Sequence, residues 1–265
     1  MKTIIEFNET THTTSPTKSP WAVPSKSTYQ DLILKPEFAE RRLKFAAGTT
    51  WFRVVPALPG SNMDWLLGIH SLQYQQGRHC HPRTITSGRA RGVFDQSYAW
   101  LKANQPESLY CKSNKEGHRL LTDPLSLCWV LVEQDEKLVA RLLLTSGYDG
   151  SRGGNPGLGH DLWQLTQEVD EDGNLLGDPS HPIHGAQVCV EKRVTPGARY
   201  ASYTLKRGRV VAPIQEMLAK MDPAEVAVLT PLEQVIHIPS EEEEWKLLEN
   251  IIDAATIEKI RNSVG

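Results

Sequence analysis

The sequence predicts a mainly β protein with added helices, an α+β chain built around a partly open Greek-key barrel. Three observations carry that expectation. Five or six runs of β-branched, aromatic and aliphatic residues are bounded by Gly, Pro, Asn and Asp. One long insertion follows the second run, and another lies inside the later sheet. Beyond residue 213 the apolar spacing becomes helical.

Residues 1–30 (MKTIIEFNETTHTTSPTKSPWAVPSKSTYQ) are rich in Thr, Ser, Pro and Lys. Such a stretch buries too little apolar surface to fold alone, so a flexible N-terminal arm is expected. Pro36 opens a short helix candidate, EFAERRLKF, at a position that favours proline. Residues 49–58 (TTWFRVVPAL) form the first strand and 64–74 (DWLLGIHSLQY) the second, joined by the turn-forming PGSN. A basic insertion follows over 75–123, with a helix predicted over 93–104 and stopped by Pro106. Two strands, 125–133 (LSLCWVLVE) and 138–145 (LVARLLLT), flank the turn QDEK. A second insertion, 146–184, starts with the Gly-rich GYDGSRGGNPGLGH, has a helical turn near 160–165 and an exposed loop at 170–178. The closing strands are 186–194 (AQVCVEKRV) and 200–205 (YASYTL), with a last one expected over 209–214. Three helices are predicted over 214–221, 224–236 and 240–260. The last opens on a Ser240/Glu243 capping box, with Glu241–Glu244 where the helix dipole favours acids. The chain thus divides into an arm (1–30), an OB-fold-like domain (31–213) and an acidic helical C-terminal extension (214–265). The OB-fold is the usual small barrel of this partly open kind, and its sheet binds single strands.

A chain of 265 residues can bury a sizeable core, and 39% hydrophobic with 23% charged residues is ordinary for a soluble protein. The formal charge of −3 conceals a segregation. Residues 78–119 hold eight Lys/Arg against three Asp/Glu, and 187–209 six against one, each a net of +5. Residues 222–265 hold three against ten, a net of −7. A basic body with an acidic end presents a polyanion-binding surface while staying near neutral. No run approaches the roughly 18 apolar residues of a membrane span, and the N-terminus has no signal-peptide core. A cytoplasmic protein is expected. The four cysteines include no CxxC, and Cys128 and Cys189 sit in apolar strands as buried thiols.

Binding of single strands needs cations for phosphates and aromatics for bases, each stacked base contributing about 1–3 kcal/mol. Both types are interleaved here: Trp51, Tyr74, Tyr98, Trp100, Tyr148 and Tyr203 lie among Arg53, Arg78, Arg83, Lys112, Lys115, Arg119, Arg152, Lys192, Arg193 and Arg199. Any one of these aromatics also reads as core. In WFRV, strand alternation sets Trp51 and Arg53 on the outer face and Phe52 and Val54 on the inner. The Gly-rich stretch lacks the Gly-Lys-Ser/Thr ending of a phosphate loop, so a connection carrying Tyr148 and Arg152 near a ligand fits it better. The one candidate metal set is His79, His81, Cys111 and His118 around HCH, in nonstandard zinc spacing, and HCHPR reads equally as a polar loop. No Ser/His/Asp or paired-carboxylate arrangement points to catalysis, so a non-enzyme without a required cofactor is expected.

The order of these features resembles the single-stranded-DNA-binding (helix-destabilising) proteins of T-even-type bacteriophages. WFRVVPAL is similar to the first barrel strand of that family, and LCWVLVE followed by LVARLLL to its central hairpin. GHDLWQLTQE resembles the segment after the hairpin, and GAQVCVEKRVTPGARYASYTL the closing hairpin. The resemblance covers roughly residues 45–206. It implies an OB-fold core whose cleft binds single-stranded DNA without sequence preference in replication, recombination or repair, in the cytoplasm of a bacterial or phage-infected cell. It also implies an acidic C-terminal segment that contacts replication or repair proteins. By position it puts Arg53, Trp65, Tyr74, Tyr98, Trp100, Lys112, Tyr148, Arg193, Arg199 and Tyr203 in the groove. The chain departs from the family in lacking its Cys-x-x-Cys zinc pair, and in having only sparse lysines (Lys2, Lys18, Lys26) where the family has a basic cooperativity element.

Two other readings compete. One is a protein-interaction or scaffold module of a phage or mobile element, docking acidic partners on the basic regions. The other is a metal-dependent nucleic-acid enzyme using His79, His81 and His118.

Overall fold

A computed structural model of the chain describes residues 33–72, 75–76, 79–80, 84–85, 92–111, 120, 122–146, 157–197 and 201–264. Pro36–Arg41 form a 3-10 helix of two turns with proline in its first turn. Strand β1 (Gly48–Val54) ends ahead of Pro56, and β2 (Leu67–Leu72) follows. Three two-residue strands, β3 (Gln75–Gln76), β4 (His79–Cys80) and β5 (Thr84–Ile85), precede helix α1 (Val93–Asn104), which has the predicted bounds. The longest strand, β6 (Asp123–Gln134), turns into β7 (Lys137–Ser146). Helix α2 (Leu158–Gln164) runs on into a 3-10 turn at Leu165–Gln167. A hairpin of β8 (Ala186–Arg193) and β9 (Ser202–Val211) closes the sheet. Five helices complete the chain: α3 (Ile214–Leu218), α4 (Pro223–Ala227), α5 (Leu232–Val235), α6 (Glu241–Glu249) and α7 (Ala254–Val264).

The protein is a mixed α+β structure. Among the described residues its main sheet has seven antiparallel strands, ordered β5-β2-β6-β1-β8-β9, with β7 on β6. The sheet is open: β7 and β9 do not pair among the described residues. β7 follows β6 from Leu125 to Gln134. Along its other edge β6 is shared, by β2 up to Leu127 and by β1 over Val130–Val132. The β6–β7 turn places Asp135 and Glu136 at φ 50° and 61°, the left-handed pair of a type I′ hairpin whose twist matches the strands.

Both faces of β6 are buried, which explains its unbroken apolar run rather than an alternating one. Leu125, Leu127, Trp129 and Leu131 pack with Ile33, Leu34 and Val55, and with Leu232, Val235 and Ile236 of the α5 region. The Trp129 indole N–H donates to the carbonyl of Thr230 at 2.8 Å, so the polar end of this large side chain is satisfied in the core. On the opposite face Cys128, Val130 and Val132 meet Phe52, Val54, Val188 and Val190, under Leu162 of α2 and Leu165. A third core joins Phe94 and Leu101 of α1 to Leu248, Ile252 and Ile260 from α6, α7 and their connection.

The structure differs from the sequence expectation in the C-terminal part. The helix expected over 224–236 is two helices, because Pro231 at the N-cap of α5 restarts the chain after Val228–Thr230. The helix expected over 240–260 also breaks. α6 ends at Glu249 with Asn250 as its C-cap, and Asp253 accepts from the Thr256 N–H at 2.9 Å, ahead of a second helix. The expected strands at 200–205 and 209–214 are one strand, β9, with a register irregularity opposite residues 186–188. No helix among the described residues is long and apolar enough to cross a membrane.

Candidate functional site

A concavity lies at the end of the sheet where β1 begins and β7 ends. Its volume is about 710 Å³, and its lining includes Arg42, Lys44, Phe45, Ser146, Leu158, Asp161, Lys192 and Tyr203. Pairing register puts Lys192 of β8 beside Tyr203 of β9 and opposite Gly48 of β1, so both side chains project on the inner face. The Lys192 ammonium donates to the Phe45 carbonyl at 2.9 Å and lies 5.9 Å from the centre of the Tyr203 ring. The Phe45 and Tyr203 rings are 6.0 Å apart and inclined at 55°. Tyr203 nevertheless remains 43% exposed. The lining thus combines an aromatic pair with the cations Arg42, Lys44 and Lys192 and the carboxylate of Asp161.

Glycine sets how closely α2 approaches this wall. A Cβ on Gly157 would lie 2.5 Å from the Ser146 carbonyl oxygen, and one on Gly159 would overlap the Ser126 side chain. Only glycine lets this short helix sit against the ends of β6 and β7. Arg207, on the inner face of β9, fixes the far side. It pairs with Glu168 at 2.9 Å and donates to the carbonyls of Leu165 and Gly177.

The groove candidates separate into four groups. Lys192 and Tyr203 meet in the cleft. Trp51 and Arg193 lie on the opposite face of the same three strands. Arg53, Trp65, Tyr98 and Trp100 belong to packing. Arg53 lies on the outer face, as alternation requires, but it is 0% exposed instead of facing a ligand. Its guanidinium donates to the carbonyls of Ala212 (2.8 Å), Val54 (2.5 Å), Pro179 and His181, stapling the loop before β8 to the end of β9. Desolvation lowers its pKa to about 10, against the opposing field of Asp178. Trp65 is buried under the inner face, while Tyr98 and Trp100 pack on the α1–α6–α7 core. Tyr74, Arg78, Arg83, Lys112, Lys115, Arg119, Tyr148, Arg152 and Arg199 lie outside the described residues. Tyr148, Arg152 and Arg199 belong to stretches whose described neighbours Ser146, Gly157 and Ala201 line the cleft.

Of the candidate metal ligands, only Cys111 has a described side chain, and burial pushes its thiol pKa up. His79 is described in its backbone alone, and His81 and His118 lie outside the described residues. Among the described residues no group of three or more His, Cys, Asp or Glu could hold a metal ion.

Phe45, Lys44 and Arg42 escaped the sequence reasoning because they precede the first strand rather than belonging to one. The signal was the RRLKF run itself: three cations and an aromatic within five residues.

No family model matches the chain, and no curated protein matches it.

Proposed function

We propose that this chain is a sequence-independent single-stranded-DNA-binding protein, acting in replication, recombination or repair. The observation that carries the proposal is the cleft whose lining combines Lys192 and Lys44 with the Phe45–Tyr203 pair. Cations beside partly exposed aromatics are what a phosphate backbone with stackable bases requires. The strand order adds support: a first strand between the central and closing hairpins suits an OB-fold-like barrel. The exposed Glu241 and Glu242 at the start of α6 are the acidic surface that partner proteins would meet.

The test is titration of the full chain with oligo(dT), followed by tryptophan fluorescence at about 50 mM and about 200 mM salt. Affinity should fall with salt at a log–log slope of about −0.7 per phosphate contacted. Tyr203→Ala should weaken binding by about 1–3 kcal/mol, the value of one lost stack. Absence of any binding at the lower salt sinks the proposal.

A further inference from the structure

Trp51 cannot line the cleft, because register places it on the other side of the sheet from Tyr203. Its row runs Trp51–Cys189–Lys206 across β1, β8 and β9, and the adjacent row runs Thr49–Glu191–Thr204. Arg193 and Ser202 form the next pair on the same face. Trp51 is 49% exposed although it sits within a strand paired on both sides. Its ring reaches Gly208, where an added Cβ would come within 2.9 Å of the indole Cζ3, while about half of the residue stays open to solvent. Glu191 holds both nearby cations, Arg193 at 2.8 Å and Lys206 at 3.7 Å. These bonds draw the Glu191 pKa below the ordinary carboxylate range.

This face has a half-exposed aromatic side chain and two cations tethered by a single acid, and β9 carries no strand on its far edge among the described residues. That edge lies about 10 Å from β1, two strand spacings. We infer that single-stranded nucleic acid leaving the cleft turns around the β9 edge and stacks a second time on Trp51, its phosphates taking Lys206 and Arg193 from Glu191. The inference rests on the DNA-binding function proposed above. It makes Trp51 a second stacking site and Glu191 a built-in competitor of the ligand.

The test uses the full chain with oligo(dT) of about 6 and about 16 nucleotides, the range of single-fold sites. Affinity is read by polarisation of a labelled oligonucleotide, which does not depend on Trp51 fluorescence. Trp51→Ala should lower affinity for the longer oligonucleotide about tenfold and leave the shorter one within twofold. Trp51→Phe, which keeps a ring, should recover most of the loss and guards against a folding defect in the alanine variant. Glu191→Gln should tighten the longer oligonucleotide several-fold and leave the shorter one unchanged. If Tyr203→Ala weakens both lengths while Trp51→Ala and Glu191→Gln change neither, the second site is overturned and the cleft stands. If the unmodified protein binds neither length, both proposals fall together. Binding of poly-glutamate that depends on Trp51, without oligonucleotide binding, overturns it in favour of an acidic peptide.

Discussion

Glu244 of α6 accepts a hydrogen bond from the backbone N–H of Val93, the first residue of α1, at 3.1 Å. The acidic C-terminal helix thereby satisfies an N–H at the buried start of the helix in the basic insertion, and Tyr110 reinforces the junction by donating to the Ile251 carbonyl at 2.8 Å. Displacing the C-terminal helices would break this buried contact and the apolar core around it.

Glu244→Ala should therefore destabilise the fold by about 1–3 kcal/mol, the cost of leaving a buried donor unpaired. Urea denaturation measures it. A loss confined to the C-terminal helices, with amide exchange in α1 unchanged, would show that the two segments are not coupled.

Arg53→Lys should cost roughly 3 kcal/mol despite keeping the charge, because one ammonium cannot satisfy carbonyls spread around a planar guanidinium. Thermal melts should fall for Arg53→Lys and at least as far for Arg53→Met. A neutral effect would remove the staple assigned to this residue.

Gly159→Ala should destabilise by about 1–3 kcal/mol through overpacking against Ser126. Ser126→Gly in the same chain should restore part of the loss, since it removes the atoms in the way. Additive losses in the double variant would contradict the close approach.

Glu225 accepts from Arg41 at 2.6 and 2.5 Å and from the Ala140 N–H at 3.1 Å, and lies 3.9 Å from Arg141. The Arg41 hydrogen bonds, supported by the Ala140 N–H and the two positive charges, hold its pKa below the ordinary value of 4.5 against some desolvation. A folded-state pKa below the unfolded one gives stability that is complete above the unfolded value and lost as pH falls through the folded one. Glu225→Gln should thus cost about 1 kcal/mol near pH 7, and the gap from the unmodified protein should close as pH falls below the ordinary carboxylate range. Urea midpoints across that range decide it.

Strands, the central hairpin and α1 were legible because each is set locally: β-branched runs between turn residues, and helical spacing stopped by a proline. The double burial of β6 was legible in LSLCWVLV for the same reason. The splitting of the C-terminal helices was harder to read, since Asp253 and Thr256 signal a cap only to a reader who already doubts one continuous helix. The site was half legible. Alternation gave Trp51 its face, and the basic closing hairpin gave Lys192. Burial of Arg53 was not visible, because its carbonyl partners at 179, 181 and 212 come from loops more than a hundred residues away. Phe45 was missed because it takes part through tertiary contact with Tyr203 rather than through any local pattern.

Leu34 bridges Ile236 in antiparallel fashion, and Lys35 donates to the Val235 carbonyl at 2.9 Å. The two partners are made about two hundred residues apart, which at ribosomal speed is a wait of about 10 to 40 seconds. Through that interval the α5 side of the surface that covers Ile33 and Leu34 is missing, although their other partner, β6, is made about halfway through. Newly made chains should therefore pass through a stage with a formed hairpin and an uncovered apolar flank, when a holding chaperone would find its purchase.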